Sequence, residues 1–264
     1  MILAAGLGTR LRPLTDHTPK ALLDVGGVPI IERVARRLIA AGADRLIINT
    51  AHLAQQIEDY VRARDGFGVE AVFSREDPGP LETGGALLAA RAHFRGDAPF
   101  FLHNADILSD VPLGDMYAAH GADGDPLATL AVLDRPTTRR LLFDDAGLLG
   151  RTDEGKGLDL RVRAPVGEVR ALPFAGIHVL SPRIFALLTE RGAFSILDPY
   201  LRLAGAGERI RPYRVDGHTW IDIGKPEQLQ QARNTFDKPD AGPLLARPGG
   251  LDDGADQDAT GRTR

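Results

Sequence analysis

The residue types best suited to chemistry cluster near the start of the chain. Leu3-Ala4-Ala5-Gly6-Leu7-Gly8-Thr9-Arg10-Leu11-Arg12-Pro13-Leu14-Thr15 is followed by Thr18-Pro19-Lys20. Glycine carries no side chain, so successive backbone N–H groups of such a loop can converge on an oxyanion. Thr9 adds a hydroxyl, Arg10 a planar cationic fork and Lys20 a point charge. Gly6 and Gly8 alone would serve an ordinary strand-to-loop turn equally well. The ordered addition of Thr9, Arg10, Pro13, Thr15, Pro19 and Lys20 predicts a phosphate-binding loop instead. Two common phosphate loops are excluded by spacing. A dinucleotide fingerprint needs a third glycine where Leu11 stands, and no Gly-x4-Gly-Lys-Ser/Thr run occurs.

Hard oxygen ligands come next. Asp106 follows the apolar run Phe100-Phe101-Leu102, at the strand end where open α/β sheets bind ligands. Asp222 lies inside Trp220-Ile221-Asp222-Ile223-Gly224. A carboxylate in such an apolar strand is costly without a metal or cation partner. Asp106 by itself would also suit a helix or turn cap, and Asp110 reads as a cap or a solvated side chain. His17, His52 and His103 have no metal-ligand spacing and read as packing or hydrogen-bonding residues. Trp220 reads as core.

The elements that must position these residues alternate in the α/β manner. Residues 2–5 read as a strand running into the glycine loop. A helix is expected over 29–41, with Pro29 at its first position, Gly42 as its stop, and Ile30, Ile31, Val34, Leu38 and Ile39 on one face. Strands over 46–50, 69–73, 99–103 and 127–133 alternate with helices over 53–64 and 85–94. This order predicts a Rossmann-like, mostly parallel sheet with helices on both faces. The second half turns β-rich. A hairpin is expected at 140–143 and 148–151 around Asp144-Asp145-Ala146-Gly147, a loop over 155–165, and a long β run over 169–180 interrupted by Pro173. Helices at 182–191, 197–204 and 226–236 and strands at 210–215 and 219–223 complete the reading. Residues 1–236 form the expected domain. Residues 237–264 hold 5 Gly, 3 Pro and 6 Asp with no aromatic residue, and are expected to be a disordered tail.

Composition bounds the function. The chain has 264 residues, 43% of them hydrophobic, which suffices for a core without staples. It has no cysteine, so disulfides, thiolate zinc, iron–sulfur clusters and a cysteine nucleophile are excluded. Lys+Arg 32 against Asp+Glu 36 gives a net charge of −4, which argues against nucleic acid as a partner. No run approaches the roughly 20 apolar residues of a membrane span. A cytoplasmic protein without membrane partners is expected.

The segment from Leu3 to Lys20 resembles the signature L-A-A-G-x-G-T-R-L-x-P-L-T…P-K of the sugar-1-phosphate nucleotidyltransferases, with every fixed position present. The resemblance spans residues 2 to about 236 and implies a GT-A-like nucleotidyltransferase fold with a small β-rich sugar-binding lobe. Pro80-Leu81-Glu82-Thr83-Gly84-Gly85, Phe174-Ala175-Gly176-Ile177 and the lack of an added β-helix domain are most similar to the short N-acetylmuramate-1-phosphate uridylyltransferases of bacterial cell-wall (peptidoglycan) recycling.

The resemblance implies transfer of a nucleotidyl group from a nucleoside triphosphate to a sugar-1-phosphate, with release of pyrophosphate. It assigns catalytic roles to Arg10 and Lys20, and Mg²⁺ as cofactor on Asp106 and Asp222. Leu3, Ala4, Ala5, Gly6, Gly8 and Thr9 would approach the nucleotide. Glu82, Thr83 and Gly84 would form the base-recognition turn, Thr83 being also a candidate helix cap. Asn104 and Gly176 would lie near the sugar.

Three departures bear on the sugar site. Ala105 precedes Asp106 where many members have glycine, and a Glu-Lys-Pro segment before the sugar-site strand is absent. Lys156 could hold the sugar phosphate only by elimination. Arg139 and Arg140 stand where a small residue is common, and an arginine fork at Arg139 would suit the lactyl carboxylate of N-acetylmuramate.

UTP with N-acetylmuramate-1-phosphate is the first expected pair. Mannose-1-phosphate with GTP, or glucose-1-phosphate with UTP or dTTP, are alternatives. A non-catalytic nucleotide-sugar-binding regulator and a metal-dependent glycosyltransferase are readings of another class. The joint presence of Arg10, Lys20, Asp106 and Asp222 argues against the first, and the lack of a second acid in Asp106-Ile107-Leu108 against the other.

Overall fold

The computed structural model describes residues 1–122 and 124–236. In chain order the strands are β1 (Ile2–Leu3), β2 (Asp24–Val25), β3 (Val28–Pro29), β4 (Arg45–Thr50), β5 (Glu70–Arg75), β6 (Phe100–Asn104), β7 (Ile107–Ser109), β8 (Ala128–Val132), β9 (Arg139–Asp144), β10 (Gly147–Asp153), β11 (Leu158–Arg161), β12 (Arg170–Leu172), β13 (Phe174–Leu180), β14 (Ile210–Arg214) and β15 (Trp220–Asp222). The helices are α1 (Ile30–Ala40), α2 (Ala54–Arg62), α3 (Glu82–Ala89), α4 (Leu113–Ala122), α5 (Ile184–Leu187), α6 (Leu197–Gly205) and α7 (Pro226–Phe236).

Seven strands form the central sheet in the order β14-β8-β13-β6-β1-β4-β5. Every neighbouring pair is parallel except the two that involve β13. Side chains alternate across this sheet, as a pleated strand requires. Ile48 packs on one face with α1, α2, α4 and α7, and Ile47 on the other with α3, α5 and α6. Both faces are therefore covered, which is why the strands read as continuous apolar runs. The mostly parallel sheet with helices on both faces agrees with the expected fold.

Register sets the position of the site. Leu3 pairs with Asn49 on one side and Asn104 on the other, so the C-terminal ends of β1, β4 and β6 are level. Strand β13 runs against both β6 and β8, so β8 also ends at this edge, and β13 begins there.

A second, four-stranded sheet, β11-β10-β9-β12, forms a lobe. Its hairpin is held by Asp144. The Arg163 guanidinium grips this carboxylate from Nη1 and Nη2 at 2.7 and 2.6 Å, and the N–H groups of Ala146 and Val166 donate to it at 2.9 and 2.7 Å. These donors hold the Asp144 pKa down at about 2. A depressed carboxyl stabilises the fold above its ordinary value of 3.8, and that contribution is lost as pH falls through about 2. It amounts to at most about 2–3 kcal/mol at neutral pH, less any screening by solvent. Asp144→Asn should therefore lower the denaturation midpoint at pH 7, and its difference from wild type should close as pH falls from 4 to 2. A difference that persists unchanged at pH 2 would remove this ion pair as the cause.

Several expectations shift locally. Pro29 caps α1 from an extended conformation (ψ 145°), and the helix starts at Ile30. The expected loop over 155–165 contains β11, an edge strand whose Leu160 is exposed; backbone pairing with β10 forms it without a buried face. The run over 169–180 splits at Pro173 into β12 of the lobe and β13 of the central sheet. Proline cannot donate to a ladder, so it suits the crossing point. The helix expected over 182–191 is reduced to α5. The expectations above do not include β7 or α4. The expected tail, 237–264, lies outside the described residues.

Candidate active site

The glycine loop leaves the end of β1 and bends by a left-handed residue, Gly8 at φ +63°. A Cβ there would lie 2.9 Å from the Thr15 methyl and 3.2 Å from the Lys20 Cβ, so glycine is required twice over, by conformation and by contact. Thr15 Oγ1 and the Leu11 N–H both donate to the Gly8 carbonyl at 2.8 Å. Leu11 is buried and anchors the loop, while Thr9 and Arg10 remain exposed. Nothing lies within 4 Å of the Cβ position of Gly6, so its backbone is open to a ligand.

The loop borders a cavity of about 400 Å³ lined by Leu3, Ala4, Gly6, Gly8, Thr9, Arg10, Lys20, Pro80, Asp106 and Gly224, among others. Larger hollows lie along β5 (about 640 Å³) and at the opposite end of the sheet (about 790 Å³). Among the cations lining them, Arg75 is paired with Glu58 at 2.5 Å and Arg45 with Glu70 at 3.1 Å. Only the first cavity joins the open loop to the two cations and an aspartate.

Lys20 hydrogen-bonds the Asp106 carboxylate. Its side chain is only 12% exposed, so the ammonium is held in place by its surroundings rather than left in solvent. Asp222 arrives from β15, which pairs with β7 just beyond Asp106; the Ile223 N–H donates to the Asp106 carbonyl at 2.9 Å. Burial, followed by the Asp106 charge, pushes the Asp222 carboxyl above its usual range, against the pull of Lys20, Arg10 and Arg135. Asp222 Oδ1 is buried without a hydrogen-bond partner. A Cβ on Gly224 would lie 3.2 Å from that oxygen and 3.0 Å from Arg10 Nη2, so this glycine lets Arg10 close on the carboxylates.

Asp222, pushed up beside Asp106 and with one oxygen unpartnered, makes with that neighbour a carboxylate pair that fits a hard divalent cation. No group of three or more His, Asp or Glu suited to a metal occurs among the described residues. A magnesium ion accepts that arrangement, since it takes one or two carboxylates and completes its shell with phosphate oxygens and water.

Two of the residues expected at the sugar, Asn104 and Gly176, meet at this edge. Gly176, at φ +77°, faces Asn104; a Cβ there would lie 2.8 Å from Asn104 Nδ2. Arg139 is exposed at the start of β9, close enough to Arg135 for its charge to be felt there. Arg140 is bound to Glu154, and Lys156 is exposed in a turn of the lobe. Asp110 accepts from the Thr219 N–H at 2.8 Å, a structural role.

The turn at Glu82-Thr83-Gly84 is held by bonds within the chain. The Gly84 and Gly85 N–H groups donate to the Phe194 carbonyl at 2.9 and 3.3 Å, so they are engaged within the chain. Thr83 Oγ1 accepts from the Ile196 N–H at 2.9 Å; the cap position of α3 is Leu81, and Thr83 is not the cap. Gly84 and Gly85 are required by packing, since a Cβ would lie 2.3 Å from the Phe194 ring or the Gly192 carbonyl. Pro80, rather than these three residues, reaches the cavity.

A buried bridge, absent from the expectations, ties the loop to this turn. Asn49 accepts from the Ala4 N–H (2.6 Å) and donates to Glu76 (2.6 Å), which accepts from the Leu81 N–H (2.7 Å). A polar pair closing the apolar strand β4, Asn49-Thr50, was the available signal.

Comparison with known proteins follows this geometry. The family model described as nucleotidyl transferase matches residues 1–238. The chain belongs to the nucleotidyl transferase family. It is 35% identical to an N-acetylmuramate alpha-1-phosphate uridylyltransferase of Caulobacter vibrioides, over 86% of this chain and 92% of that protein. It is 36% identical to a protein of the same description from Neisseria meningitidis serogroup B, over 88% of this chain and 96% of the relative. A solved UDP-glucose pyrophosphorylase from Acinetobacter baumanii shares the fold, with a TM-score of 0.71 at 20% identity, over 90% of this chain and 93% of the other. The resemblance carried by Leu3–Lys20 is thus borne out: the chain is a sugar-1-phosphate nucleotidyltransferase by family. Within this nucleotidyl transferase, no helix among the described residues is long and apolar enough to cross a membrane.

Proposed function

We propose that the protein transfers a uridylyl group from UTP to N-acetylmuramate-1-phosphate, releasing pyrophosphate. The observation that carries this reading is the identity of 35% and 36% to two uridylyltransferases of that description, over nearly their full lengths. The site supports the chemistry. An oxygen of the sugar phosphate attacks the α-phosphorus in line, a bond forms there, and the bond to the bridging oxygen of pyrophosphate breaks. The attacking oxygen is already ionised, so no side-chain base is needed. Both reactants are anions, so the protein's tasks are positioning and charge neutralisation.

Each group has a part in this. The open backbone of Gly6 and the Thr9 hydroxyl face the triphosphate. Arg10 holds the β- and γ-phosphates and takes up charge on the leaving pyrophosphate. Lys20, beside Asp106, serves the α-phosphate. Asp106 and Asp222 would hold a magnesium ion, which when bound neutralises charge on the phosphate oxygens. Leu3, Ala4 and Ala5 approach the nucleoside, and Asn104 and Gly176 the sugar. Residues 1–236 act as one catalytic domain in this reading.

The test is pyrophosphate release with Mg²⁺, crossing UTP, dTTP, GTP, CTP and ATP against N-acetylmuramate-, N-acetylglucosamine-, glucose- and mannose-1-phosphate. Turnover should be greatest with UTP and N-acetylmuramate-1-phosphate. A preference for GTP with mannose-1-phosphate would replace the substrate assignment and leave the family chemistry intact. Silence in every combination from folded protein would overturn the enzymatic reading.

A further inference from the structure

The sequence lacks the Glu-Lys-Pro segment, and Lys156 is exposed on the lobe. A cation for the acceptor's anionic group must come from elsewhere. Arg135 lies two residues beyond Leu133 and follows β8, whose C-terminal end shares the edge with β1 and β6. Its guanidinium carbon sits 4.6 Å over the Trp220 ring. One nitrogen, Nη2, donates to the Phe174 carbonyl at 3.3 Å. The Trp220 indole donates to the next carbonyl, Ala175, at 2.8 Å. The residue after that is Gly176, packed on Asn104. Arg135 therefore stands over the three residues that open β13, on the side where the sugar site is expected.

Its relation to the carboxylates follows from the pleat. Trp220 and Asp222 are two apart on β15 and share one face, so a guanidinium over Trp220 lies on the face of Asp222. Arg10, Lys20 and Arg135 all act on Asp222 as cations. Arg135 also faces the like charge of Arg139. Its Nε is buried without a hydrogen-bond partner. A half-buried guanidinium with one carbonyl, one ring and a shared distant carboxylate is under-compensated. The ring contact and the Phe174 bond restrict where the guanidinium sits, and a guanidinium fork is the group that grips a phosphate or carboxylate by two bonds.

We propose that Arg135, held over Trp220, binds the oxyanion of the sugar-1-phosphate acceptor and so determines acceptor affinity. The inference rests on the nucleotidyltransferase reading of the site, and not on UTP or N-acetylmuramate as the particular pair. Two oxyanions are in question, the 1-phosphate common to all acceptors and the lactyl carboxylate of N-acetylmuramate.

The experiment is steady-state kinetics of wild type, Arg135→Gln and Arg135→Lys, varying nucleotide and acceptor separately, with melting temperatures alongside. Arg135→Gln should raise the acceptor KM about 10- to 100-fold, the range expected for loss of a charged, two-bonded contact, and leave the nucleotide KM within about twofold. Arg135→Lys should restore part of the loss, since it keeps charge without the fork. Equal rises for N-acetylmuramate- and N-acetylglucosamine-1-phosphate would identify the 1-phosphate; a rise confined to N-acetylmuramate would identify its carboxylate. An unchanged acceptor KM, or nucleotide and acceptor KM rising together, would overturn the proposal in favour of a structural clamp.

If Arg135→Gln does not fold, the lysine variant decides, with a severalfold rise in acceptor KM expected and none overturning it. Failure of wild type to use N-acetylmuramate-1-phosphate would refute that substrate alone, and the Arg135 comparison is then made with the acceptor that turns over. Should none turn over, calorimetric titration of wild type and variants with each sugar-1-phosphate decides; no binding, or binding equal in wild type and Arg135→Gln, overturns the inference.

Discussion

Replacing Arg10 by alanine is expected to lower kcat by about 10²–10³-fold, the usual effect of removing one group aimed at charge that develops in the transition state. The reason lies in where the guanidinium stands. It is exposed on the cavity side of the glycine loop, and Gly224 leaves it room beside Asp222. From there it can follow the β- and γ-phosphates as negative charge builds on the leaving pyrophosphate. The same exposure means that the fold does not depend on it, because exposed cations contribute little to stability. The melting temperature of Arg10→Ala should stay close to wild type. Arg10→Lys should recover only part of kcat, since a point charge replaces a planar fork. Single-turnover pyrophosphate release and thermal melting on the same preparations check both statements. Near-normal turnover from Arg10→Ala would remove the residue from the machinery.

Asp222→Asn should raise the magnesium concentration for half-maximal rate by at least about 10²-fold, more than the 10- to 100-fold typical of groups that only support a ligand. Its second effect runs in the opposite direction. The Asp222 carboxyl is pushed up by burial and by Asp106, and one of its oxygens lacks a partner. A carboxyl raised in the folded state costs stability once ionised. The neutral amide should therefore raise the melting temperature at pH 7 in chelator. The gain should vanish as pH falls below the ordinary value of 3.8, where the wild-type group is protonated folded and unfolded alike. A rate lost together with stability would point to general damage; a magnesium titration that does not move would end the ligand assignment.

How much was legible in advance depends on whether the physics is local. The phosphate loop was readable because its groups are adjacent in the chain: Gly8 must be glycine for its own backbone, and Thr15 and Leu11 bind it within seven residues. Helix α1 was readable because its buried residues Ile30, Ile31, Val34 and Leu38 follow the helical period. Strand β11 was not, because an edge strand made by backbone pairing needs no apolar face. The division at Pro173 was visible only as a break; that its two sides join different sheets depends on distant partners, Leu141–Phe143 for β12 and Phe100–His103 for β13.

The same boundary runs through the site. By itself the sequence determined the α/β alternation and the family, and it singled out Arg10, Lys20, Asp106 and Asp222 as candidates, because cations suit phosphates and carboxylates suit magnesium wherever the fold places them. Only the tertiary structure decided what each stands beside. It brings Asp222 to Asp106 through the pairing of β15 with β7, and sets Arg135 over Trp220. It also turns the N–H groups of Gly84 and Gly85 inward to the Phe194 carbonyl. Those are contacts between segments far apart in the chain, set by strand register and packing. A residue's type limits what it can bind, but its neighbours across the fold decide which of its groups remain free to do so.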